Sequence, residues 1–185
     1  MRHVAVAVVG LTLLAGSALA QAAPVKDPLL ERLAGTWVLR GTLAGQQTTH
    51  DVTAEWVLNH LYLRLHEVSR EKDAAGQPQY EAIVLIGWDE PAKAYQCQWL
   101  DTTGGGALTP QSVGHGKRDG EKIPFVWKAK DGTVSFNNTF AYDSRTDSWS
   151  WIMDNIQRGK TVPFARLTLT RKRLEPPSAG IGPTR

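Results

Sequence analysis

Apolar and polar residues alternate along most of the chain from Thr36 onward, in short segments rich in Val, Thr, Trp, Phe and Tyr. Residues two apart lie on the same face of an extended strand, so this period predicts strands with one buried face. Turn residues interrupt the pattern about every 8 to 15 residues, which is typical of consecutive strands that pair antiparallel. No helical pattern of useful length interrupts them, and a parallel sheet with crossover helices is therefore excluded.

The segments that carry this pattern predict about ten strands. They are 36–43, 47–58, 61–69, 80–88, 95–100, 112–117, 123–129, 134–142, 149–157 and 161–170, with a Gly-rich loop at 101–106. Strands of this number bury their edges best by closing into a barrel. One short helical turn is expected at 28–33, where Pro28 begins an apolar pattern that ends before Gly35. We therefore predict an all-β, antiparallel up-and-down barrel over residues 28–173.

Both ends of the chain differ from this barrel region. Residues 1–20 have a charged start, an apolar run and a small-residue cleavage site, which predicts a signal peptide followed by a polar lead at 21–27. The apolar run is shorter than the roughly 20 residues of a membrane-spanning helix, so we expect no stable membrane anchor. Residues 174–185 are rich in Pro, Gly and polar residues and carry no apolar pattern that could pack, which predicts a disordered tail. The protein is thus expected to be exported, to the periplasm or outside the cell.

Charge and cysteine content limit the possible partners. The net charge is +3, from 21 basic and 18 acidic residues spread along the chain, so no basic patch points to nucleic acid. Cys97 is the single cysteine, and an internal disulfide is excluded. Cys97 lies two residues from both Tyr95 and Trp99 and so shares their face of the predicted strand. We therefore expect its thiol to be buried and inert.

A set of local motifs resembles a known family. Gly-Thr-Trp at 35–37 follows the short helical turn, and further matches occur at 56–63, at 86–89 with Lys93 and Tyr95, and at 167–172. Their order resembles a bacterial family of exported or cytosolic proteins of unknown function that are described as lipocalin-like calycin barrels. The resemblance implies the barrel fold and an internal pocket, but no reaction. It also implies that Trp37 packs across the closed end of the barrel with Arg171 lying over its ring.

Histidines offer little support for a metal site, because no pair has the close spacing of a zinc motif. His50 shares the inward parity of Trp56 and is expected to be hydrogen-bonded inside the barrel. A role for His50 as the proximal ligand of haem stays as the alternative. No metal, other cofactor or catalytic residue is assigned.

The strand positions that are predicted to face the barrel interior carry many aromatic rings and also several amides. This combination is typical of a small-molecule pocket. The residues that we predict to contact a ligand are His50, Trp56, Trp99, Phe136, Asn138, Phe140, Trp149, Trp151 and Asn155. We expect an exported protein that binds a small apolar or amphipathic molecule. One alternative is an enzyme on the same barrel, of cyclase or isomerase type, with His50 or Asp101 as base. Another is a filled barrel that serves as a protein-interaction module. The oligomeric state and the specific ligand stay open.

Overall fold

The computed structural model describes residues 23–103 and 108–172, and ten strands of this part of the chain close into one antiparallel barrel. A short helix, α1 (Pro28–Leu33), precedes them. The strands are β1 (Gly35–Leu43), β2 (Gln46–Val57), β3 (Tyr62–Ser69), β4 (Glu81–Asp89), β5 (Ala94–Asp101), β6 (Val113–Gly116), β7 (Lys122–Lys128), β8 (Val134–Asp143), β9 (Ser148–Gln157) and β10 (Lys160–Arg171).

Every strand pairs with its neighbours in the sequence, and β1 also pairs with β10, which closes the barrel. The predicted all-β, up-and-down barrel with a short N-terminal helix is confirmed. Between β2 and β3 the chain reverses through Leu58, Asn59 and His60, which all have positive φ. This turn sets His50 opposite Ser69 in the pairing of β2 with β3, close to the register expected for two strands that reverse at Asn59 and His60.

Helix α1 covers one end of the barrel. Leu29, Leu30 and Leu33 are fully or almost fully buried. Asp27 caps the helix, accepting a hydrogen bond from the N–H of Leu29 at 2.7 Å. Its carboxylate also contacts the Tyr95 hydroxyl and the Arg118 guanidinium, so the cap attaches the helix to the barrel wall.

The predicted contact between Trp37 and Arg171 is also present at this end. The Arg171 guanidinium lies over the indole of Trp37, 4.1 Å from the ring centroid. Arg171 further donates to Asp147 and to the backbone oxygens of Ala34 and Arg32. A cation–π contact of this kind contributes roughly 0.5–2 kcal/mol. It holds the first strand, the last strand and the helix together.

The predicted strand at 112–117 has only a weak apolar alternation, with Val113 as its one large apolar residue, and the structure shows the cause. A turn of 3-10 helix at Pro110–Ser112 comes first, and β6 is only four residues long. Its buried positions are Gly114 and Gly116, and a Cβ atom at either would overlap the ring of Trp127 or Phe125. The rings of β7 thus occupy the space that side chains of β6 would fill, and the apolar alternation disappears there.

Several predictions concern residues outside the described ranges. These are the signal peptide at 1–20, residues 21–22 of the polar lead, the glycines at 104–106 and the tail at 174–185. Within the described residues, no helix has the length and apolar character needed to cross a membrane.

Candidate functional site

A cavity of about 560 Å³ lies inside the barrel at the end away from α1. Exposed residues Ala44, Thr103 and Gln111 belong to its lining, so it communicates with solvent. Its wall is aromatic and aliphatic over most of its area. The apolar lining residues include Trp99, Trp127, Phe136, Phe164, Leu43, Leu167 and Met153.

Strand β9 shows how the interior changes along the barrel axis. Its inward positions run from Trp149, beneath α1, through Trp151 to Met153 and Asn155, of which only the last two line the cavity. Trp151 stacks on Phe140 with 4.9 Å between ring centroids, and both side chains are fully buried. A packed aromatic layer therefore separates the cavity from the helix end.

Polar groups interrupt this wall on two separate parts of the barrel, β3 to β5 and β8 to β9. They include Glu67, Tyr80, Asp101, Asn138 and Asn155, whereas no Lys, Arg or His lines the cavity among the described residues. Asn138 is fully buried, and neither its amide oxygen nor its amide nitrogen has a hydrogen-bond partner. An unpaired buried amide costs about 1–3 kcal/mol, so a bound group that pairs with it gains binding free energy.

Glu67 and His50 form a buried pair beside the cavity. The Nδ1 atom of His50 contacts Oε1 of Glu67, and each residue is at most 2% exposed. The other imidazole nitrogen, Nε2, lies 2.6 Å from the hydroxyl of Thr48, which donates to Glu71 at 3.1 Å. Oε2 of Glu67 has no partner. Both ring nitrogens of His50 are thus engaged, which favours the hydrogen-bonded interior histidine over a haem ligand.

Two ionisable groups next to this pair have shifted pKa values. Burial, together with the nearby Glu67 carboxylate, raises the pKa of Tyr80, whose ring stacks on His50 at 5.5 Å. For Glu71, partial burial opposes ionisation, but hydrogen bonds from its own N–H, the N–H of Thr49 and the Thr48 hydroxyl outweigh it and lower the pKa. Near neutral pH, Tyr80 is therefore a neutral phenol and Glu71 a carboxylate.

The residues predicted from the sequence fall into three places. Trp99, Phe136, Asn138 and Asn155 line the cavity, and His50 lies behind Glu67. Phe140 and Trp151 form the packed layer, and Trp149 lies on the side of this layer that faces α1, away from the cavity. Trp56 lies at the helix end, where its indole donates to Glu31 and stacks on His60. These side chains belong to the inward-facing set of each strand, as the alternation predicts. The alternation does not tell how far along the barrel axis each of them lies.

Sequence reasoning missed the carboxylate of Glu67 and the phenol of Tyr80. Glu67 continues the inward parity of Leu63 and Leu65 on β3, and a carboxylate at such a position was the available signal. Tyr80 immediately precedes β4, where its backbone oxygen accepts a hydrogen bond from Ser69. Tyr80 nevertheless begins the predicted segment 80–88 and shares the parity of the buried residues Ala82 and Val84, which was the available signal.

Two further features concern the single cysteine and the grouping of metal-ligating side chains. Cys97 is fully buried, and burial raises the pKa of its thiol, which leaves it protonated. No group of three or more His, Cys, Asp or Glu side chains in the described part of the chain is placed to hold a metal ion.

Comparison with known proteins gives no family assignment. No family model matches the chain, and no curated protein matches it either.

Proposed function

We propose that the barrel binds one small molecule, with an apolar ring body and a polar group, in the cavity opposite α1. The observation that carries the proposal is the Asn138 amide, fully buried and without a partner in the wall of a 560 Å³ cavity. A core that served only stability would pair such a group or replace it. Apolar walls with a few placed polar groups are the usual composition of a small-molecule site.

The proposal is tested by filling the cavity from one strand. Asn155 lies on the cavity side of β9, whereas Ile152 lies on the outside of the same strand with 38% exposure. We expect Asn155→Trp to abolish binding of the apolar fluorophore N-phenylnaphthylamine, measured by its emission and by tryptophan quenching. Ile152→Trp is the matched control and should bind like the wild type. Absence of binding to the folded wild type, or undiminished binding to Asn155→Trp, would refute the proposal.

A second candidate, catalysis by proton transfer, is favoured by the Glu67–His50 pair, because an orienting partner is what a general base needs. The test uses the compound that co-purifies with the native protein, identified by mass spectrometry. Incubation in heavy water should convert this compound or exchange a carbon-bound hydrogen, and Glu67→Gln should stop the change. An unchanged mass with the wild-type protein contradicts catalysis and leaves binding as the function.

Export is part of the proposed function. It is supported by the signal-like segment at 1–20, and the ligand would then be met in the periplasm or outside the cell. Sequencing the N-terminus of the mature protein from its native cell tests this, with a start at or near Gln21 expected. Mature protein that retains residues 4–14 would contradict export.

A further inference from the structure

The Glu67 carboxylate is the most unusual group in the cavity wall. It is 2% exposed, and its Oε2 atom has no hydrogen-bond partner. Removing a carboxylate from water is costly unless the group is paired. Asp101, the other carboxylate of the wall, already accepts two hydrogen bonds from Thr103, through its N–H at 2.8 Å and its hydroxyl at 2.5 Å. Both of these bonds end on Oδ1 of Asp101, so what distinguishes Glu67 is the combination of almost complete burial and an unpartnered oxygen.

The hydrogen bonds behind Glu67 show how many protons the pair holds. We assign the Thr48 hydroxyl as donor to the ionised Glu71 carboxylate, and in that arrangement it accepts a hydrogen from Nε2 of His50. The remaining bond, between Nδ1 of His50 and Oε1 of Glu67, then contains one further proton. This proton belongs either to a carboxylic acid or to an imidazolium, and the Glu67–His50 pair is neutral in both cases.

The cavity is built for a ligand without negative charge. No Lys, Arg or His in the described residues lines it, so no cationic side chain there would neutralise a carboxylate or phosphate. The rings of Trp99, Trp127 and Phe136 line the same cavity as Glu67. Aromatic faces attract cations, and a carboxylate oxygen accepts a charge-assisted hydrogen bond.

We propose that Glu67 binds the protonated amine of an aromatic or otherwise apolar ligand, and that binding expels the proton shared with His50. This inference rests on the proposed binding function and names the class of ligand. The ammonium N–H donates to Oε2 of Glu67, so the carboxylate becomes fully ionised. The cation adds one positive charge next to the neutral pair, and loss of one proton restores neutrality.

The proton has a continuous path to the surface. His50 passes its Nε2 proton to Thr48 while Thr48 passes its own to Glu71, which releases it to solvent. Afterwards Nδ1–H of His50 donates to Glu67, and the Thr48 hydroxyl donates to Nε2. Both imidazole nitrogens of His50 keep a partner in both states, whereas Oε2 of Glu71 gives up its hydrogen bond from Thr48 in the second.

Other ionisable groups near Glu67 do not supply this proton. Tyr80 faces the pair from the segment before β4 and stays a neutral phenol, because burial and Glu67 raise its pKa. Asp101 faces the cavity from β5 with its carboxylate held by Thr103. Glu71 on the far side of Thr48 is ionised before binding and serves as the exit.

The experiment compares three probes with one ring system and different charge: naphthylethylamine, naphthylethanol and naphthylacetate. Isothermal titration calorimetry near neutral pH, in two buffers of different ionisation enthalpy, gives affinity and proton release together. We expect the amine to bind about tenfold or more tighter than the alcohol. About one proton should leave per amine bound and none per alcohol. The acetate should bind most weakly.

Variants separate the contribution of Glu67 from that of general charge. Glu67→Gln should remove both the amine preference and the proton release, with affinity for the alcohol retained. Asp101→Asn should keep most of the preference. His66→Gln is the matched control, since His66 forms a similar pair with Glu81, partly exposed on the outside of the barrel, and it should change nothing.

The outcomes distinguish this inference from the proposed function. If the alcohol binds but the amine binds no tighter, or if Glu67→Gln keeps the preference, the assignment to Glu67 is overturned and the binding function stands. Tight amine binding without proton release overturns the proton path. If no probe binds the folded protein, both proposals fail.

Discussion

Replacing Asn138 by Leu is expected to stabilise the protein while it weakens the site. The amide is fully buried on β8 with both polar atoms unpartnered. Leu has the same number and connectivity of side-chain heavy atoms, so it fills the same space without the unpaired groups. Removing them recovers about 1–3 kcal/mol, and a packing mismatch of less than about 1.5 kcal/mol opposes this.

The net expectation is an unfolding free energy higher by about 1–2 kcal/mol, which for a chain of this size raises Tm by about 2–8 °C. Urea unfolding followed by tryptophan fluorescence measures it, with an unchanged slope against denaturant as the check on two-state behaviour. Asn138→Ala removes the same amide without filling its space and should be less stable than Asn138→Leu. Destabilisation by Asn138→Leu of about 1 kcal/mol or more would show that the amide is paired in solution, which refutes the reasoning.

Further expectations follow from burial and charge. Phe140→Ala should lower the unfolding free energy measured in urea by about 3–5 kcal/mol, because Phe140 belongs to the packed layer. Phe136→Ala, in the cavity wall, should lower it less and should change the affinity for the probe. Equal losses for the two variants would contradict a cavity. Cys97 should resist thiol reagents until the protein unfolds, since burial raises its pKa; rapid labelling of native protein would contradict its burial. The Arg171 guanidinium lowers the pKa of Asp147, so this pair stabilises the fold above the usual aspartate pKa of about 3.9 and loses its effect as pH falls below that value. Asp147→Asn should therefore flatten the acid limb of thermal stability, and an unaltered limb would show that the pair contributes nothing.

Sequence alone determined the architecture and the inward face of most strands. Alternation in segments such as 47–58 and 149–157 identifies the buried parity, because side chains of a strand point to opposite faces with a period of two. A short reversal at Asn59 and His60 leaves little freedom in the register of β2 and β3. The pairing continues in this register up to His50, which lies opposite Ser69. Trp37 and Arg171 were predicted through the family resemblance, and their contact is present.

Only the tertiary structure decided what each inward residue does. Trp56 and Trp99 share the inward face, yet α1 covers the end at Trp56 and leaves the end at Trp99 open. The position of a side chain along the barrel axis depends on how all ten strands are staggered and on where the helix docks. The two-residue alternation of the sequence gives no information on either. The contact of Glu67 with His50, 17 residues apart on neighbouring strands, exists because the register of β2 and β3 brings both side chains to the same side of the sheet inside the closed barrel.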